Sequence, residues 1–205
     1  MIKLWELPPS PNNTKVFMAL RFKGLEFETV PVDPADRGPL LEVSGQEGTP
    51  VIEDGGVVLN DSEAILQFLD ANYRDRPRLF PPDKTRRRVC EDWKAELDRR
   101  LAAPWLPVFF YGIGRREELD PKARDEFEAA LVWLEDELAN RPGFDEGEMA
   151  INDLRVAEWA TYAFPGPALI DRVPLFARFQ KLYGIEPGRL PRLEAFLEPW
   201  QARLG

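Results

Sequence analysis

Apolar residues fall at two different spacings along this chain, and the change comes near residue 72. Before it, short runs alternate between the period of a strand and that of a helix. Residues 3–7 form a brief apolar run that predicts a first strand. Val16, Phe17, Ala19, Leu20 and Phe22 recur at helical intervals, and Lys23-Gly24 supplies the glycine that ends such a helix. Residues 26–32 alternate, with Phe27 and Thr29 set against Glu26 and Glu28, which predicts a second strand. Pro34, Gly38, Pro39, Gly45 and Gly48 break up residues 33–48 into a loop with at most a short helix. Residues 51–53 and 57–59 flank Asp54-Gly55-Gly56 and read as a tight hairpin. Ile65, Leu66, Phe68 and Leu69 place a helix over residues 61–72. A βαβ unit followed by ββα gives a small mixed sheet with helices packed on it.

Pro77, Pro81, Pro82 and several charges mark residues 73–83 as a linker. Beyond it the strand signals vanish. Helices are predicted over about 84–110, 120–140, 152–163, 173–183 and 191–203. In the second of these, Phe127, Leu131, Leu134 and Leu138 fall on one buried stripe. Arg141-Pro142-Gly143, Pro165-Gly166-Pro167 and Pro187-Gly188 punctuate the pattern. The chain therefore reads as an α/β domain at 1–72, the linker at 73–83 and an all-α domain at 84–205.

Composition narrows the chemistry. The 205 residues allow one large domain or two small ones, and 44% hydrophobic with 31% charged residues is ordinary for a soluble globular protein. No apolar run approaches the roughly 20 residues a membrane span needs. The N-terminal segment has Glu6, Pro8 and Pro9 where a signal peptide needs its apolar stretch, so the protein is expected in the cytoplasm. There is no histidine, and Cys90 is the single cysteine. That excludes Ser-His-Asp triads, Cys-His dyads, His-based metal sites and internal disulfides. A net charge of −9 argues against nucleic acid as a partner. The basic run Lys84-Thr85-Arg86-Arg87-Arg88 reads as the solvated start of a helix, and Cys90 as packing.

What remains is chemistry by hydroxyls, carboxylates, backbone dipoles or a borrowed group. Gly48-Thr49-Pro50-Val51-Ile52 is the most informative stretch. Pro50 lacks the N–H a central strand position needs, so it must open its strand, where a cis bond leaves the preceding backbone exposed to a ligand. Asp61-Ser62 stands where the next helix begins, with unpaired N–H groups and a partial positive charge. The two together suit a small, peptide-like anion. Asp61 and Ser62 also satisfy a helix start with no ligand at all.

Ser10-Pro11-Asn12-Asn13-Thr14-Lys15-Val16, Gly48-Thr49-Pro50-Val51-Ile52, Asn60-Asp61-Ser62-Glu63-Ala64-Ile65 and Ile151-Asn152-Asp153-Leu154 occur in this order over essentially the whole chain. Taken together they resemble the cytosolic glutathione transferases, with a serine-type, bacterial-like pattern of no clear subclass. The resemblance implies a thioredoxin-like α/β domain joined to an all-α helical bundle. It implies glutathione as co-substrate, no metal, a hydrophobic electrophile as second substrate, and a homodimer. Carried over by position, Ser10 would bond the glutathione sulfur, with Asn12 as an accessory. Thr49, ahead of Pro50, would lend its backbone to the cysteinyl part, and Asp61 and Ser62 would hold the γ-glutamyl end. The family's Lys or Gln before Thr49 is Gly48 here, for which Arg37 or Gln46 could substitute. Pro9, Trp105, Phe109, Phe110 and Tyr111 would line the electrophile site, although about half of such aromatics belong to a core. The Ser or Thr that caps the helix ahead of Asp153 in the family is Ala150, a loss of ~1 kcal/mol.

A free thiol titrates near pH 8.5, and the thiolate is the nucleophile. Lowering it by about two units asks roughly 3 kcal/mol of the Ser10 hydroxyl and the first helix dipole. Without the family context Ser10 reads as a turn residue or cap ahead of Pro11, and Asn12 and Asn13 as caps. The expected function is a glutathione transferase. The alternatives are a non-enzymatic binding protein of the same fold and a glutathione-dependent disulfide reductase.

Overall fold

The computed structural model describes residues 1–145 and 150–204. The chain divides into two compact units, one of them Met1–Phe80 and the other starting at Pro81.

The first unit runs β1 (Ile2–Glu6), α1 (Pro11–Phe22), β2 (Phe27–Pro31), α2 (Gly38–Ser44), β3 (Val51–Asp54), β4 (Val57–Asn60) and α3 (Ser62–Asn72). Its sheet has the order β2-β1-β3-β4. The α1 crossover makes β1 and β2 parallel, and the Gly55-Gly56 hairpin makes β3 and β4 antiparallel. Leu4 and Ile52 are partners in register and are fully buried. Trp5 and Val51, the next pair, point to the opposite face and pack with Val32 and with Leu40 of α2. α1 packs on α3, and α3 lies against β3 and β4. Gly24 takes φ +63° and closes α1, letting the Leu25 N–H reach back to the Leu20 carbonyl.

Residues 73–80, inside the segment expected to be a linker, are held to this unit. Lys23 is buried and donates to Asp70 at 3.1 Å and to the Pro77 carbonyl at 2.9 Å. Asp70 also accepts the Leu79 and Phe80 N–H groups, and both of those side chains are buried. A charge pair enclosed in this way is costly to break from one side.

The second unit contains α4 (Lys84–Leu97), a π-helical turn (Asp98–Ala102), α5 (Ala103–Gly112), α6 (Pro121–Glu137), α7 (Ile151–Ala160), α8 (Pro167–Arg172), α9 (Leu175–Tyr183) and α10 (Pro191–Gln201), ending in a 3₁₀ turn (Ala202–Leu204). The single helix expected over 84–110 is thus two helices joined by a widened turn. Pro104 has no N–H for the ladder and its ring crowds the carbonyl of Arg100, four residues back, and widening the turn relieves both. α8 was not expected, because its six residues are too few to show a period. Phe127, Leu131, Leu134 and Leu138 are buried along α6 as the stripe requires. Lys84-Thr85-Arg86-Arg87-Arg88 is exposed on α4, whose N-cap Asp83 accepts the Arg86 N–H at 2.9 Å.

The start of α7 corrects the expectation of a lost cap. Asp145, upstream of the helix, accepts the N–H groups of Asn152 and Asp153 at 2.7 and 2.9 Å. Asp153 reaches back to accept the Phe144 N–H at 2.5 Å. The two carboxylates therefore cap one another's backbone, the same reciprocal satisfaction that a capping box provides within one turn. Burial raises both, Asp153 to about 6. Cys90 is buried beside them, its thiol also pushed up by burial, and takes a long contact of 3.5 Å from the Asn152 amide.

Candidate functional site

In the first unit, three chain segments meet at a cavity of ≈ 370 Å³ lined by Asn12, Gln46, Gly48, Thr49, Pro50, Asn60, Asp61 and Ser62. Each wall follows from local sequence. Pro11 at the first helical position fixes φ and needs no N–H, so α1 begins there and presents Asn12 in its first turn. Pro50 stands one residue ahead of Val51, the first rung of β3, with a cis bond to Thr49. The backbone of Thr49 is thereby left outside the ladder. β4 ends at Asn60, and Asp61 caps α3 by accepting the Ala64 N–H at 2.9 Å.

Asp61 is the one non-glycine residue with positive φ (+70°) among the described residues. Such a conformation costs about 1–3 kcal/mol in a residue with a Cβ and concentrates at functional sites. It turns the chain so that Ser62 opens α3 at the cavity.

Side chains tie the walls together. The Ser62 hydroxyl donates to Asn12 Oδ1 at 3.1 Å, bridging the first turns of α3 and α1. Asn13 is buried and donates to the Leu7 carbonyl at 2.9 Å and to Thr49 Oγ1 at 3.0 Å, which joins α1 to the turn before β3. Lys15 and Glu63 form a buried-side ion pair at 3.0 Å between the same two helices. Gln46 folds onto Gly48: its Nε2 donates to the Gly48 carbonyl at 2.6 Å and its Oε1 accepts the Gly48 N–H at 2.8 Å.

The expected site residues therefore divide. Asn12, Gln46, Thr49, Pro50, Asp61 and Ser62 come together. Arg37 is outside the lining, with Nη1 on the Glu47 carbonyl at 3.0 Å. Ser10 is the N-cap residue of α1 in an extended conformation, but its hydroxyl makes no capping bond; its carbonyl accepts instead from the Thr14 backbone and side chain. Pro9, just before it in the chain, is buried.

The aromatic segment lies on α5 in the second unit. Trp105 is buried, 4.4 Å in ring separation from Phe109 and 5.0 Å from Tyr162. Phe109 stacks further on Phe179, and Phe110 and Tyr111 are half-buried. Asn13 and Asn60 were missed as site residues. An asparagine in the first turn of a helix carries the signal of a cap, and nothing local distinguishes a strut to a distant turn.

Among the described residues, no group of three or more Cys, Asp or Glu side chains is placed to hold a metal ion, and no helix is long and apolar enough to cross a membrane.

The family profile described as "Glutathione S-transferase, N-terminal domain" matches residues 4–77. The probable glutathione S-transferase GSTU6 of Oryza sativa subsp. japonica is 27% identical over 214 aligned residues, 98% of this chain and 84% of the relative. Over residues 4–77 the chain is therefore similar to the N-terminal domain of glutathione S-transferases. Two solved glutathione transferases share its fold. One is a rice transferase (OsGSTU1) in complex with glutathione, with a TM-score of 0.70 and 24% identity over 100% of this chain and 86% of that one. The other is the theta-class enzyme of Xanthomonas axonopodis pv. citri with glutathione bound, with a TM-score of 0.71 and 22% identity over 98% of this chain and 95% of that one. The matched segment contains Ser10 and every residue that lines the cavity.

Proposed function

We propose that the protein is a glutathione transferase whose cavity in the first unit binds glutathione as co-substrate, with no metal. The observation that carries this is the meeting of two helix N-termini and an unpaired backbone edge at one cavity. The names of its relatives, and the glutathione in two structures of the same fold, support the reading. The ammonium of the γ-glutamyl residue is assigned to the Asp61 carboxylate. Its α-carboxylate is assigned to the unpaired backbone N–H groups at the start of α3, that of Ser62 among them. The cysteinyl backbone is assigned to Thr49.

Ser10 is the proposed hydroxyl donor to the sulfur, with the Asn12 amide as accessory. The Ser10 side chain is uncommitted to its own helix, and the α1 dipole adds to it. Together they have to supply roughly 3 kcal/mol for a thiol depressed by about two units. The thiol proton leaves to solvent, the sulfur forms a bond to the electrophilic carbon, and the displaced group departs with its electron pair. Phe109, Phe110 and Tyr111 of the second unit are proposed as apolar surface for the electrophile, together with Trp105, whose burial leaves it less to offer. Kinship is the ground for expecting a cytoplasmic homodimer.

Calorimetric titration with reduced glutathione near pH 7, alongside conjugation assays of Ser10→Ala, tests the reading. Binding in the millimolar range or tighter is expected, with a variant that binds equally and turns over ~10–100-fold more slowly. Full activity of the variant removes Ser10 from the mechanism, and absence of binding removes glutathione.

A further inference from the structure

The corner of the cavity formed by Gln46 and Gly48 has no cation to offer an anion. Asp61 is the one charged residue among the described residues of the lining, and it is acidic. Gly48 offers no side chain, and both of its backbone groups are taken by the Gln46 amide. That amide turns Nε2 and Oε1 inward on Gly48, which leaves it one N–H, a neutral donor. Arg37 is turned to the Glu47 carbonyl and is not part of the lining.

Glutathione carries one ammonium and two carboxylates. With the ammonium at Asp61 and one carboxylate at the start of α3, the glycyl carboxylate is the one left over. A carboxylate that leaves water for a corner with no cation and one neutral N–H loses more hydration than it regains. The glycyl end is therefore best left in solvent.

We propose that this site selects the γ-glutamylcysteinyl part of its thiol and is indifferent to the glycyl carboxylate, with the Gln46–Gly48 pair as the determinant. This rests on the reading that glutathione occupies the cavity. Thiols of the same class with a neutral or missing C-terminal residue are then accepted about as well as glutathione.

The experiment is a calorimetric titration of the full chain with glutathione, its glycyl monoethyl ester and γ-glutamylcysteine. Dissociation constants within about threefold of one another are expected. Glutathione binding more than about tenfold tighter than the ester overturns the proposal while leaving the transferase reading intact. No binding of any of the three overturns both.

Gly48→Lys provides a second arm. A Cβ at position 48 would lie 2.8 Å from Gln46 Oε1, the far end of a flexible side chain that can move aside. The lysine should tighten glutathione by about two- to fivefold and leave the ester unchanged, the scale of a solvent-exposed ion pair. An equal effect on both ligands counts against the proposal. So does an Arg37→Ala variant that weakens glutathione tenfold but not the ester, because Arg37 would then be the missing cation.

Discussion

The Ser62 hydroxyl and the Asn12 side-chain carbonyl are hydrogen-bonded at 3.1 Å across 50 residues of sequence. Ser62 has a single proton, and giving it to Asn12 fixes which way the Asn12 amide faces. The carbonyl is held toward α3 and the NH₂ group is left for the cavity. The bond thus orients a donor as well as tying two helix starts together.

Ser62→Ala, Asn12→Ala and the double variant form a cycle that measures this link. A coupling of about 1 kcal/mol is expected in urea unfolding, the usual net value of one such bond. Additive losses would mean that the two side chains act independently.

Asn13→Ala should cost more than Thr49→Val. The first leaves the Leu7 carbonyl without its amide partner and cuts the tie to Thr49, while the second removes only the tie. About 1–3 kcal/mol against about 1 kcal/mol is expected from chemical denaturation. Equal losses would show that the Leu7 bond contributes nothing.

Stability should fall as pH rises from about 4 to 6. Asp153 moves from an ordinary 3.8 to about 6 on folding because it is buried. In that window the folded state holds a proton that the unfolded chain has released, so each pH step favours unfolding, up to about 3 kcal/mol in total, and the effect levels off above 6. Asp153→Asn keeps an acceptor for Phe144 and should flatten this slope in thermal melts between pH 4 and 7. Asp145→Ala should instead destabilise at every pH by about 1–2 kcal/mol, since it strips the cap from α7. An unchanged slope in Asp153→Asn would place the titration elsewhere.

If Ser10 lowers the thiol, kcat/KM for conjugation should rise with pH to a plateau with an apparent pKa near ~6.5. In Ser10→Ala the midpoint should move toward ~8.5, the value of a free thiol. The same midpoint in both proteins would assign the depression to the helix dipole alone.

Trp105→Ala separates core from substrate surface. With its ring among Phe109, Trp159 and Tyr162, truncation should cost about 3–5 kcal/mol. Tyr111→Ala, half-buried, should cost less than about 2 kcal/mol and show its effect in KM for the electrophile. A stable Trp105→Ala would move Trp105 out of the core.

The sheet, the hairpin and the two helix starts at the cavity were legible because their signals are local. Pro50 cannot donate to a ladder wherever it stands, and Asp61-Ser62 ahead of an apolar run is a helix start in any context. Asn13 and Asp145 were not legible for the opposite reason. Each is satisfied by a partner that only the fold brings near, Thr49 for one and the backbone of Asn152 and Asp153 for the other. The loss predicted at Ala150 failed on that account: a cap can come from a side chain outside the helix. The proposed electrophile surface rests on a run of aromatics, and Trp105 shows why such a run is ambiguous, since the same rings fill cores.

The widened turn at Asp98–Ala102 acts as a frame shift within a helix. One extra residue in a turn advances everything downstream by about 100° around the axis. α5 therefore presents a different side to the interior than a continuation of α4 would. Trp105 is 4% exposed and its neighbour Leu106 is 44% exposed. Deleting a single residue from that turn would turn α5 by the same angle, bringing the leucine to where the indole now points and moving the indole off its partners. The choice of which aromatic rings α5 hides and which it offers is thus set by the length of one turn, upstream of every residue it sorts.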